Sequence, residues 1–185
     1  MGEFVTIGHS SRDIGEFLAM LGAAGVGLVA DVRRFPHSRS HPVFDGARLR
    51  DELARAGIGY RHLPALGGRR GQQADMDPGL NAYWHVQAFH NYADYALGPD
   101  FAAGFAELLA LGYEQRVALM CAEAVWWRCH RRIIADHLLL SGHAVTHLLA
   151  PGHSEPAQPT PGARMAAAGK VIYPATAGNS ARESR

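Results

Sequence analysis

Cys121, Glu123, Cys129, His130 and Arg131 stand close together in the chain, spelled Cys-x-Glu and then Cys-His-Arg, with Trp126 and Trp127 between them. Both cysteines of the protein lie in this stretch. A carboxylate beside an imidazole can carry out general acid–base catalysis, and a guanidinium can hold that carboxylate or an anionic substrate in place. A thiol near arginines and the amino end of a helix loses its proton more readily and becomes nucleophilic. Thiols with imidazoles also suit a transition metal, for which Cys121, Cys129, His130 and His9 could supply four ligands, the first three lying in this stretch. The spacing contains no Cys-x-x-Cys or His-Glu-x-x-His pattern, so the sequence makes no cofactor evident. The plain alternative for Cys121 is a small buried thiol that only packs.

A second group of polar residues is dispersed along the chain. Asp31 and Arg33 form an Asp-Val-Arg, His9 and Ser10 follow a short apolar run, Ser38 lies in a polar loop, and Arg69 belongs to Gly-Gly-Arg-Arg. The expected catalytic set is Glu123, Cys121, His130 and Asp31, with Asp31 orienting Arg131 or His9. The structural alternative makes Asp31 and Arg131 a buried ion pair. His9, Ser10, Arg33, Ser38, Arg131, Trp127 and Arg69 are the expected substrate-binding residues. Two adjacent tryptophans cannot both face inward, so Trp127 is assigned to the crevice wall. Flat aromatic surfaces beside arginines suit a planar anion, such as a nucleotide or an extruded base.

These residues share a pocket only if the fold gathers them. Residues 4–7, 26–32, 58–63, 116–121 and 144–149 read as strands from their β-branched or uninterrupted apolar content. Between them lie helical periods: Ile14, Phe17, Leu18 and Leu21 after a Ser11 cap; Leu49 and Leu53 after an Asp45 cap; residues 83–97; residues 101–111; and a helix after Cys129, where Arg132 and Asp136 are spaced to pair. Residues 66–80 lack any hydrophobic period and read as a long loop over the crevice. The alternation predicts an α/β fold, a three-layer sandwich with a mostly parallel central sheet and the active-site crevice at the strand carboxyl ends. One α/β domain is expected over residues 1–150. Residues 151–185, rich in Pro, Gly and Ala, are expected to be a tail, docked if at all by residues 170–174.

Composition fits that size and class. The chain has 185 residues, 48% hydrophobic and 19% charged, with a formal net charge of +1. No overall field argues for nucleic acid or an anionic membrane, although arginines cluster locally. Two cysteines do not make a secreted disulfide framework, and no stretch reads as a signal peptide or a membrane span. A cytoplasmic protein with no membrane partner is the expectation, and nucleic acid stays open as a partner.

The segments TIGHS, DVRRFPHSR, YRHLPALGG and LMCAEAVWWRCHRRIIADHL resemble the domain-of-unknown-function 488 family from about Thr6 to His147. The resemblance implies an α/β fold and a shared polar site, without a reaction. The order strand, Cys121, loop, Arg128, helix is also similar to the anion loops of rhodaneses and cysteine phosphatases. Here the arginine is one position late and the loop has no glycine. The leading expectation is an enzyme acting on a nucleotide or nucleic-acid base by hydrolysis or group transfer. Its rivals are a Cys121-dependent thiol enzyme of rhodanese or phosphatase type and a non-catalytic module that binds a small anion or nucleotide.

Overall fold

A computed structural model describes residues 2–175. The chain runs β1 (Glu3–Gly8), α1 (Ile14–Ala23), β2 (Leu28–Asp31), α2 (Gly46–Arg55), β3 (Gly59–His62), α3 (Gln87–Tyr95), α4 (Pro99–Glu114), β4 (Val117–Cys121), α5 (Arg131–Leu140), β5 (Ala144–Ala150) and β6 (His153–Pro156), then β7 (Arg164–Met165) and β8 (Val171–Ile172). The first six strands form one sheet in the order β3-β2-β4-β1-β5-β6, parallel throughout except for β6. This is the expected three-layer α/β sandwich.

Strand periodicity divides the core into two layers. On β4, Val117, Leu119 and Cys121 join Tyr92, Phe101, Leu108, Ile133 and Ile134 from α3, α4 and α5. Ala118 and Met120 turn the other way, toward Phe17, Leu21, Leu49 and Leu53 of α1 and α2. Successive side chains on a strand must face opposite layers, so a buried central strand is apolar at every position. The helix after β2 leads to β3 over one face, whereas the helix after β4 leads to β5 over the other. Where neighbouring strands send their connections to opposite faces, a crevice opens at their carboxyl ends. Here it opens between Asp31 and Cys121.

Local chemistry corrects several expected boundaries. Helix α1 is capped by Asp13, whose Oδ1 accepts from the Gly15 and Glu16 amides at 2.8 and 3.3 Å, and not by Ser11. Asp45 precedes α2 without capping it through its side chain, which meets His37 Nδ1 at 3.1 Å instead. The aromatic helix begins at Gln87, leaving Tyr83 and Trp84 in the turn before it. Arg132 does not pair with Asp136: its Nε donates to Thr160 Oγ1 at 2.9 Å, while Asp136 accepts from the Thr160 amide and the Tyr173 hydroxyl.

The stretch after Pro151 packs more closely than its composition suggests. β6 extends the main sheet, β7 and β8 pair with each other, and Val171 and Tyr173 are fully buried in the layer holding α3 to α5. The part of the expected tail from 176 onward lies outside the described residues. No helix among the described residues is long and apolar enough to cross a membrane.

Candidate functional site

A cleft of about 390 Å³ lies at the predicted sheet edge. Its walls are Cys121 at the end of β4 with Ala122 and Glu123 after it, Arg33 and Arg34 beyond β2, Gly68 and Arg69 from the long loop, Phe89 and Tyr92 from α3, and residues 128–130 just before α5. Two close approaches build it. A Cβ on Gly8 would lie 1.9 Å from the Glu123 carbonyl oxygen, so only glycine lets the segment after β4 cross the end of β1. A Cβ on Gly67 would lie 2.5 Å from the Arg34 Cα, which fixes the loop against the end of β2.

One side of the floor is an ion-pair network. Arg33 Nε donates to Asp31 Oδ1 at 2.8 Å and its terminal nitrogen to Oδ2 at 2.5 Å. The remaining Arg33 nitrogen donates to the Phe44 carbonyl at 2.9 Å and meets His9 Nε2 at 3.3 Å. The Tyr60 hydroxyl completes the Asp31 carboxylate at 2.8 Å, and His62 Nε2 meets the Arg33 carbonyl at 2.8 Å. His9 Nε2 receives the guanidinium N–H, so its proton sits on Nδ1, facing the Ser10 carbonyl at 3.0 Å. Burial, with Arg33 adding to it, lowers the His9 pKa to about 4. The imidazole is therefore neutral near pH 7, stacked on Phe44.

The other side is built on sulfur. Cys121 and Cys129 are both free and buried. Arg131, fully buried at the start of α5, donates its Nε–H to Cys129 Sγ at 3.3 Å and a terminal N–H to the Glu123 carbonyl at 2.5 Å. His130 Nδ1 is 3.6 Å from Cys129 Sγ, and its Nε2 is 2.8 Å from the Val32 carbonyl. The hydrogen bond between the sulfurs and burial hold the Cys121 thiol well above its ordinary range. Burial pushes Cys129 up as well, but the bond from Cys121, together with His130 and Arg131, outweighs it and holds Cys129 well below.

The expected site residues divide into four groups. Cys121, Glu123, His130, Arg33 and Arg69 line the cleft. Asp31 and Arg131 are buried and do not line it but bond residues that do, and Asp31 pairs with Arg33, not with Arg131. The expected clamp of Arg131 on the Glu123 carboxylate is replaced by a bond to that residue's main-chain carbonyl, which leaves the exposed carboxylate unclamped. His9, Ser10 and Ser38 are not on the cleft surface: His9 is buried behind Arg33, the Ser10 amide bonds the Ala122 carbonyl, and Ser38 Oγ accepts from the His41 amide. Trp127 is 47% exposed on an adjoining aromatic shelf with Val86 and Phe89, while Trp126 turns inward to stack on His147.

Arg34, Arg128 and Tyr92 were not among the expected site residues. Arg34 was visible in DVRRF, and Arg128 in the run before Cys129, only as members of charged clusters. Among the described residues, Arg34, Arg69 and Arg128 pair with no carboxylate. Arg33 and Arg131 are held by internal partners, so these three exposed guanidiniums supply the positive charge that a ligand would meet.

Fold and cleft together define an α/β protein with a crevice at the carboxyl edge of a mostly parallel sheet. The chain belongs to the family described as Domain of unknown function DUF488, which matches residues 13–138. That span holds every residue named on the cleft wall, and leaves out β1 and everything after α5. No curated protein and no solved structure matches the chain.

Proposed function

We propose that this chain is an enzyme that binds a nucleotide, or a base within nucleic acid, in the cleft and acts on it by hydrolysis or group transfer. The observation that carries this reading is the junction of two surfaces. Among the described residues Arg34, Arg69 and Arg128 have no carboxylate partner, and the shelf of Val86, Phe89 and Trp127 continues from the cleft through Arg128. Guanidinium groups recognise phosphate in a planar, bidentate way, and an exposed indole offers a stacking face to a base. Glu123, exposed at the lip with its backbone fixed by Arg131, is the acid–base candidate.

A second reading, a thiol-dependent transferase or hydrolase, is favoured by the contacts of Arg131 and His130 with one sulfur. In that reading the nucleophile is Cys129 and not Cys121. Titration with nucleoside monophosphates, nucleosides and inorganic phosphate, followed by tryptophan fluorescence and thermal shift, tests the leading reading. Monophosphates should bind at least about tenfold more tightly than either fragment, since base and phosphate have separate subsites. Arg128→Ala should abolish the difference. Equal binding of phosphate alone would overturn the nucleotide assignment.

A further inference from the structure

Three side chains that share no short motif converge at the floor of the cleft. Cys121 ends β4, Cys129 precedes α5, and His130 is the residue from which α5 starts. One donor atom from each lies within 4.8 Å of the other two. The His130 ring has a fixed orientation. A carbonyl oxygen can only accept, so the 2.8 Å contact with Val32 places a proton on Nε2 and turns Nδ1 toward the sulfurs; in the neutral ring that nitrogen carries the lone pair. An imidazole whose far nitrogen donates to a backbone carbonyl is the arrangement that orients metal-bound histidines. The Arg131 N–H on Cys129 Sγ is the corresponding outer bond to a thiolate. Gly68 passes the same ring edge so closely that a Cβ would sit 2.6 Å from Nδ1, so glycine keeps that edge clear.

We infer that Cys121, Cys129 and His130 Nδ1 form a site for a divalent transition metal of zinc type, with a fourth position open to the cleft. Three protein ligands plus an open position mark catalytic and not structural zinc sites. Two sulfurs and an imidazole select a borderline-soft ion over magnesium or calcium. Two thiolates and a neutral imidazole balance a dipositive ion, so the loaded site itself carries no net charge in a cleft already lined by arginines. Binding releases to solvent any proton that the sulfurs still hold. The open position would take a water or a ligand oxygen beside Glu123. The site does not depend on the nucleotide reading, because the metal can bind whether or not a nucleotide does.

The test adds Co²⁺ to reduced, metal-free full-length protein and follows its absorption spectrum. About one equivalent should produce sulfur-to-cobalt charge-transfer bands and the visible bands of a four-coordinate ion, and Zn²⁺ should remove both. Cys121→Ser and Cys129→Ser should each lower the charge-transfer intensity by roughly half, the double variant should abolish it, and His130→Ala should weaken binding by at least about tenfold. Gly68→Ala keeps all three ligands and should also weaken binding, which keeps the test open if a cysteine variant fails to fold. Free thiols that titrate unchanged in excess Co²⁺ would overturn the site. So would alkylation of Cys129 at a rate that Zn²⁺ leaves unaltered, which would favour the thiol reading. Cobalt bands in a protein that ignores nucleotides would uphold the metal site and remove the nucleotide assignment alone.

Discussion

Arg33 closes back on Asp31, two residues earlier on the same strand end, in a buried pair with two parallel contacts. The guanidinium also reaches His9 and the Phe44 carbonyl, so one side chain joins the ends of β1 and β2 to the turn before α2. Removing one partner strands the other charge without water. Asp31→Asn should cost about 3–5 kcal/mol, and Arg33→Lys should not be tolerated as a conservative change. Urea denaturation measures both. A loss below about 1 kcal/mol would show that solvent reaches the pair.

Three buried histidines set the acid limb of stability. His9, His137 and His147 are each lowered to about 4, in every case mainly by burial. In the unfolded chain they titrate near 6.5, so on acidification the unfolded state takes up protons first. Their contribution is complete above pH 6.5 and is lost as the pH falls toward 4. Asp136, pushed up by burial, opposes this in part. The denaturation midpoint should therefore fall steeply from pH 6.5 to 4. His137 packs against Phe101, and among the described residues its Nε2 has no hydrogen-bond partner, so His137→Leu should reduce the slope at little cost near neutrality. An unchanged slope would mean that His137 takes up its proton as readily in the folded protein as in the unfolded chain.

Tyr173 makes the segment after β6 part of the fold. Its ring is fully buried against Trp84, its hydroxyl donates to Asp136 at 2.9 Å, and its backbone bonds Leu80 and Tyr83. Ending the chain at residue 169 should destabilise it by more than about 3 kcal/mol, and Tyr173→Ala should cost about 3–5 kcal/mol. Tyr173→Phe, which removes only the hydroxyl, should cost about 1–3 kcal/mol. Thermal melts of the three variants should rank in that order of severity, with Tyr173→Phe mildest. Truncation without effect would show that β7 and β8 merely rest on the surface.

The architecture could be read from periodicity because each buried strand records its own surroundings. The run before Cys121 is apolar at every position, as a strand covered on both faces must be, and the crevice followed from where such strands end. Side-chain partners were less legible. Asp31 has two arginines to choose from, and the choice of Arg33 depends on a turn-back over two residues that spacing does not encode. Tyr173 was obscured by the Pro, Gly and Ala around it, since composition averages over the one ring that packs. Gly8 and Gly68 carry no signal of their own, because what excludes a side chain there is a backbone or ring distant in sequence.

Glu123→Gln separates charge from shape at the lip of the cleft. The residue's position is set through its carbonyl, which accepts from Arg131, and through the crossing of Gly8; neither depends on the carboxylate. The side chain is exposed, so the change should alter stability by no more than about 0.5 kcal/mol. If Glu123 moves a proton in the reaction, turnover should fall by about 10²–10⁴-fold, while the monophosphate affinity set by Arg34, Arg69 and Arg128 stays within a few-fold. Rate and binding measured on the same preparation decide the matter. Loss of binding together with rate would make the carboxylate a ligand contact, and full retention of rate would move the chemistry to the sulfur side of the floor.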